Sequence, residues 1–283
     1  MRGIEGSEPI IEKHVMNFLL LLGAGFSRNW DGWLAVEAFE YLLGVPDIVR
    51  DARLRKFLWA AKERGEGFEG ALGDLQSERE ARPNEENFLA LNSLERAIDQ
   101  MFADMNRAFI ERAAFEFQNQ IAYQIGPSLT RFDAIFTLNQ NLLLERHYFA
   151  NDGYFIAAPR RWIGPALPGL TANRSPRDVG PAQWTGPTWT PIIPLGVGVP
   201  ANSQPYYKLH GSSNWRTAEG GRLLVAGGNK IRTIRSLEIL RLYLTEFERR
   251  LAIPDTRLMV IGYGFQDNHI NEAILRAGAL AGC

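Results

Sequence analysis

Cysteine is all but absent from this chain; the only one is Cys283, the last residue. A single thiol closes no intrachain disulfide and builds no cysteine-type zinc site within one chain. A surplus of either charge is missing too. The 31 lysines and arginines meet 32 aspartates and glutamates, for a net charge of −1. No global basic field therefore draws the chain to nucleic acid, although a local patch stays open. No stretch approaches the roughly 18 apolar residues of a membrane span. The run Val15–Leu22 is short, and Glu5, Glu8 and Glu12 precede it rather than the basic cluster of a secretion signal. Together these absences lead us to expect a cytoplasmic protein with no membrane partner.

The remainder has the composition of a folded domain, with 46% hydrophobic and 22% charged residues. We expect a single domain over residues 1–283. Met16–Leu22 reads as a buried strand that stops at Gly23-Ala24-Gly25, with the hydroxyl of Ser27 just beyond. Glycines there let backbone approach a ligand, and the N–H groups of the next helix can face a phosphate. A ligand-free strand–helix turn uses the same residues. Asp31 or a neighbour is the expected cap of the following helix.

Residues 47–125 are charged and carry apolar residues at spacings of three or four, including Leu54, Phe57, Leu58, Phe88, Leu91, Leu94, Ile98 and Phe102. They read as a helical insert, broken at Gly65–Gly73 and Pro83. Phe132–Leu138 is a second buried strand, followed by Asn139-Gln140-Asn141 and a helix. Residues 151–204 hold nine of the fifteen prolines, with Trp162, Trp184 and Trp189 among them. Such a Pro/Gly/Trp-rich stretch predicts a long binding loop or lid, or a surface wrap packed by its own aromatics. Tyr206–Leu209 is a short strand ending in His210-Gly211-Ser212, and Arg222–Ala226 is another. Ser236–Leu251 is an amphipathic helix. Arg257–Ile261 is a last buried strand, ending in Gly262-Tyr263-Gly264-Phe265, and Asp267 opens the final helix. This alternation predicts an α/β fold: a Rossmann-like doubly wound parallel sheet with a helical insert and a long Pro/Gly-rich loop.

Four strands thus end in residues suited to a site, and in an open parallel sheet ligands bind beyond the carboxyl ends of the strands. Each piece also has a plainer use. Asn139 fits a helix N-cap, His210 a core imidazole satisfied by backbone, and Gly262 and Gly264 simple turns. His14, His147 and His269 receive no role.

The segments Leu20–Ser27 (LLLGAGFS), Phe136–Glu145 (FTLNQNLLLE), Lys208–Trp215 (KLHGSSNW) and Val260–Ile270 (VIGYGFQDNHI), in this order, resemble the sirtuin-like (silent information regulator type) NAD-binding domain. The last two look most like the bacterial branch that cleaves NAD in phage defence. That resemblance implies an NAD+ hydrolase that depletes cellular NAD in abortive infection, with NAD+ as substrate and no metal. It implies Asn139 and His210 as catalytic residues. It implies contacts to the dinucleotide from Gly23, Ala24, Gly25, Ser27, Asn141, Gly211, Gly262, Gly264 and Phe265. Homo-oligomerisation and control by a HerA-type ATPase/translocase or another nucleic-acid-sensing subunit are implied in the same way.

The chain departs from that pattern at Asn141, where the family usually carries aspartate. An asparagine still hydrogen-bonds an amide but has no charge. A catalytically weak or silent module binding NAD or ADP-ribose is therefore the alternative. A protein deacylase would need the missing zinc cysteines. A Rossmann dehydrogenase would show a third glycine at position 28, where Arg28 stands.

Overall fold

The computed structural model describes residues 16–111, 125–149, 162–173, 187–196, 198–225 and 230–281; His14, Trp184 and Cys283 lie outside them. Strand β1 (Asn17–Leu22) buries Leu19, Leu20, Leu21 and Leu22 completely. Four buried leucines without alternation need cover on both faces, as in a central parallel strand. Each contributes roughly 2 kcal/mol relative to exposure. The strand turns at Gly23 into the four-residue α1 (Ala24–Ser27). Helix α2 (Ala35–Gly44) begins where Glu37 Oε2 accepts from the Leu34 N–H at 2.7 Å. Asp31 instead takes a left-handed turn, with φ 63°. The carboxylate inside the helix, not the one before it, supplies the cap.

Helix α3 (Pro46–Arg50) opens on a proline, whose missing N–H costs nothing in a first turn. Helix α4 (Ala52–Glu63) is capped by Asp51, which accepts from the N–H groups of Arg53 and Leu54 at 2.8 and 3.1 Å. Gly65 and Gly67, with φ 77° and 63°, make the next break. Helix α5 (Gly67–Ala81) then carries Gly70 and Gly73 inside it, so the interruption is narrower than expected. Pro83 separates it from α6 (Glu85–Glu111). Leu91, Leu94, Ile98 and Phe102 of α6 are buried, whereas Phe88 is exposed. These helical side chains belong to the same hydrophobic cluster as the sheet leucines, so the helical layer shares one core with it. Residues 112–124 of the expected insert lie outside the described residues.

After α7 (Ile125–Leu129) come β2 (Ala134–Thr137), β3 (Gly164–Ala166), β4 (Leu170–Asn173), β5 (Thr188–Pro191), β6 (Ser203–Lys208), β7 (Gly211–Arg216) and β8 (Arg222–Leu224). Helices α8 (Lys230–Ser236) and α9 (Glu238–Leu251), strand β9 (Thr256–Ile261) and helix α10 (Asn268–Ala281) follow. The main sheet has the order β3-β6-β2-β1-β9, with every pair parallel. Flanked by helices, it is the Rossmann-like α/β fold that the strand–helix alternation predicts.

Two expectations need correction. Strand β9 is not buried: it is the edge strand, and Met259 and Ile261 are 52% and 39% exposed. Leu258 and Val260 alone pack on the core. An unbroken apolar run does not reveal that one face lacks cover. The 151–204 segment also contributes strands. β3 joins the main sheet, and β4 and β5 join β7 and β8 in a second sheet of order β4-β5-β7-β8. Trp189 of β5 pairs with Trp215 of β7. The two sheets meet at Gly211, where φ is 73° and a Cβ would overlap the Leu223 carbonyl oxygen.

Candidate functional site

Strand register brings the four strand ends to one height. Leu22 pairs with Thr137 on one side and with Ile261 on the other, and Thr137 pairs with Lys208. Gly23, Leu138, Leu209 and Gly262 therefore leave the sheet together. Beyond them lies a cleft of about 550 Å³, at the carboxyl end of the sheet. Gly23, Ala24, Gly25, Asn139, His210, Gly262 and Gly264 line it. A smaller hollow of about 130 Å³ adjoins it, sharing Asn139 and reaching Asn141 and Met101. Ser27 and Gly211 line neither hollow, and Phe265 is exposed.

The glycines lock two loops together. The Gly23 N–H donates to the Ile261 oxygen at 3.0 Å, and the Gly25 N–H to the Gly262 oxygen at 2.9 Å. A Cβ on Gly23 would stand 2.5 Å from the Gly262 oxygen. Gly262 has φ 68°, and a Cβ there would overlap the Phe26 nitrogen. Of the helix N–H groups expected to face a phosphate, that of Gly25 is thus spent on this contact, and that of Phe26 donates to the Gly23 oxygen at 2.9 Å. Tyr263 fixes the rest of the second loop. Its hydroxyl accepts from the Asp267 N–H at 3.1 Å and donates to Asn271 Oδ1 at 2.9 Å, while Asn271 Nδ2 donates to the Phe265 oxygen at 2.8 Å.

Behind the glycine turn, Ser27 is fully buried. Its Oγ donates to the Ala24 oxygen at 3.0 Å and accepts from Asn141 Nδ2 at 3.0 Å. Asn141 Oδ1 takes the Leu143 N–H at 3.4 Å. One N–H and the oxygen of the Asn141 amide are therefore engaged by protein. Asn139 differs: its N–H donates to Thr137 Oγ1 at 3.0 Å, and the residue borders both hollows.

A buried ammonium ties the loops that follow β2 and β6. Lys208 Nζ donates to the Asn141 oxygen at 2.6 Å, to Glu145 Oε1 at 2.7 Å and to Ser212 Oγ at 2.8 Å. Helix α6 braces the same place, because Asn106 Oδ1 accepts from the Leu142 N–H at 2.9 Å. Sequence reasoning assigned neither Lys208 nor Asn106 a role.

His210 is 3% exposed, and its Nε2 lies 3.2 Å from His269 Nε2. Burial pushes the His210 imidazole down to about 3, with Asp267 opposing and Lys230 and His269 adding to the shift. Burial likewise lowers His269. Both rings are neutral at pH 7, so His210 is a weaker base than its residue type predicts. Asp267 approaches both rings. Burial alone would raise its carboxyl, but His210 and Lys230 hold it below the usual range. Lys230 Nζ bridges Glu69 Oε2 at 2.7 Å and Asp267 Oδ1 at 2.8 Å. Burial opposes the Lys230 charge, yet Glu69 and Asp267 keep that ammonium above its ordinary value. Burial raises the Glu69 carboxyl despite Lys230.

The cleft thus has the His210 imidazole, the Asp267 carboxylate and the Lys230 ammonium on one wall and Asn139 on another, while His269 stands behind His210 and lines a separate hollow. One ligand atom each from His210, Asp267 and His269 lies within 4.8 Å of the others. The resemblance implies no metal, and the missing cysteines exclude only a cysteine-type zinc site; neither bears on this trio. The visible signal was Asp-x-His directly after the glycine turn of β9. Protein-family models and curated proteins give no match to this chain.

Proposed function

We propose that this chain is an NAD+ hydrolase of the sirtuin-like type, cleaving the nicotinamide–ribose bond to give nicotinamide, ADP-ribose and a proton. One observation carries the reading: the four segments that resemble that domain end at one height and open on one cleft. Cleavage passes through an oxocarbenium-like ribose, and the leaving nicotinamide is already cationic. The protein's task is to hold the ribose, exclude bulk water and place one water. Asn139 orients the ribose and that water. His210 accepts a hydrogen bond from a ribose hydroxyl or the water. The released proton leaves along that hydrogen bond toward solvent, because burial keeps His210 and His269 poor proton acceptors although Asp267 favours the imidazolium. Gly23, Ala24 and Gly25 face the diphosphate, and the Gly262–Phe265 loop faces the adenosine. In a cell such an activity depletes NAD, fitting an antiphage effector held silent until an oligomer or a nucleic-acid-sensing partner releases it.

A second reading is a silent module that binds NAD or ADP-ribose. It draws on the Asn141 amide being held by Ser27 and Leu143, and on the weak basicity of His210. Incubating the purified chain with NAD+ and separating the products by chromatography distinguishes the two. Nicotinamide release that is lost in Asn139→Ala and in His210→Ala supports the hydrolase. Binding of NAD+ without release, with and without candidate partners, favours the module.

A further inference from the structure

The His210–His269–Asp267 trio has a geometry suited to a further role beside the one proposed for it in NAD cleavage. The two Nε2 atoms are 3.2 Å apart. With Zn–N bonds of about 2.0–2.1 Å, that separation corresponds to an N–Zn–N angle of about 100°, near the tetrahedral value. A carboxylate oxygen of Asp267 lies within 4.8 Å of both nitrogens. It closes on a shared ion by moving in, since two ligands on bonds of about 2.0–2.2 Å stand no more than about 4.3 Å apart. We infer that His210, His269 and Asp267 form a three-ligand site for a divalent transition metal of the zinc class, with its fourth position open to the cleft.

The surroundings support such a site. His210 is held by its main chain, because its carbonyl accepts from the Val225 N–H at 2.8 Å. Asp267 and His269 sit two residues apart at the start of α10, behind a loop already braced by Tyr263 and Asn271. Lys230 donates to Asp267 Oδ1 at 2.8 Å, leaving the second oxygen for the ion. A ligating carboxylate is ordinarily hydrogen-bonded in this way. Two imidazoles and one carboxylate select zinc, cobalt or ferrous iron over magnesium or calcium, which take oxygen ligands. Lys230 and the positive end of α10 work against a cation, and Glu69 and Asp267 offset them. The site is therefore weaker than a closed four-ligand structural one.

The inference does not depend on NAD cleavage. Its consequence for that activity does: an ion on His210 and His269 removes His210 from the ribose and the water, so zinc would inhibit.

The test uses the full chain, stripped with a chelator and free of any affinity tag. Titration with Zn2+ followed by calorimetry, and with Co2+ followed by its visible bands, should show one ion per chain. His269→Ala and Asp267→Asn should each weaken binding by more than about 100-fold, beyond the usual cost of losing a ligand's hydrogen-bond partner. His147→Ala should leave it unchanged. X-ray absorption at the zinc edge of the unsubstituted protein should show two imidazoles and a light oxygen shell, and this readout stands even where a variant fails to fold. No saturable binding, equal affinity for Mg2+, a sulfur ligand or fewer than two imidazoles would overturn the site. Zinc bound as described by a chain that, once stripped of metal, releases no nicotinamide with or without candidate partners keeps the site and removes the hydrolase reading.

Discussion

Asn141 Nδ2 donates to Ser27 Oγ at 3.0 Å, joining the loop after β2 to the turn after β1 beneath the cleft floor. Both side chains are buried, and Ser27 passes the contact on to the Ala24 oxygen. Asn141→Ala leaves the Leu143 N–H and the Ser27 oxygen short of a partner, at about 1–3 kcal/mol. Ser27→Ala should cost a similar amount. The double variant should cost less than the sum, because each change removes the same bond. Urea denaturation of the four proteins measures this. Strict additivity would show that the two loops are not coupled through this pair.

Glycine matters at Gly262 and not at Gly264, although both belong to one motif. A Cβ on Gly262 would overlap the Phe26 nitrogen at φ 68°, whereas one on Gly264 would meet only Gln266 Cγ, at 3.9 Å. Gly262→Ala must displace the β1 turn or strain the loop by at least about 1–3 kcal/mol. We expect a sharply lower melting temperature, or insoluble protein. Gly264→Ala should melt within a degree or two of the parent. Equal melting of both variants would mean that the two turns are not interlocked.

Lys208 and Glu145 form a buried ion pair at 2.7 Å, and the ammonium also serves Asn141 and Ser212. Lys208→Met strands the Glu145 carboxylate, whose Oε2 has no hydrogen-bond partner among the described residues. Removing one member of such a pair costs about 3–5 kcal/mol. Adding Glu145→Gln to Lys208→Met should recover part of that loss, since no charge then remains buried. A single substitution without measurable effect on the denaturation midpoint would place the pair in water.

Much of this frame was legible in the chain, because buried parallel strands announce themselves. NFLLLL and AIFT are apolar without alternation, as strands covered on both faces ordinarily are. The residues just past those strands were legible for the same reason. What stayed hidden is what depends on packing between distant segments. Gly25 and Gly262 touch through backbone, and no local pattern in either segment reports it. Lys208 reads as a surface residue until Glu145, 63 positions away, is brought to it. His269 lies two residues beyond Asp267, and only the turn from β6 into β7 puts His210 beside it. The second sheet was masked by proline, which argues against strands in general but is tolerated on edges and at strand starts. β9 misled in the opposite sense, since its composition is that of a core strand and its position is an edge.

The buried histidine also sets how stability depends on pH. An imidazole in the unfolded chain titrates near 6.5, while burial holds His210 at about 3 in the folded chain. Between these values the unfolded chain binds a proton that the folded chain does not. The contribution of His210 is complete above about pH 6.5 and is lost as pH falls toward 3, at about 1.4 kcal/mol per pH unit. Asp267 favours the charged ring and moderates the shift, whereas Lys230 and His269 oppose that charge. His147 and His269 are lowered too, so they add to the same slope. Asp267, whose carboxyl is held below its usual range, loses its contribution only at lower pH. Urea denaturation at pH 7, 6 and 5, with a chelator present, should therefore show stability falling. His210→Gln carries no titrating ring and should fall less steeply. If both proteins fall in parallel, His210 is solvated in solution, and the wall it forms with His269 and Asp267 is open to water rather than packed.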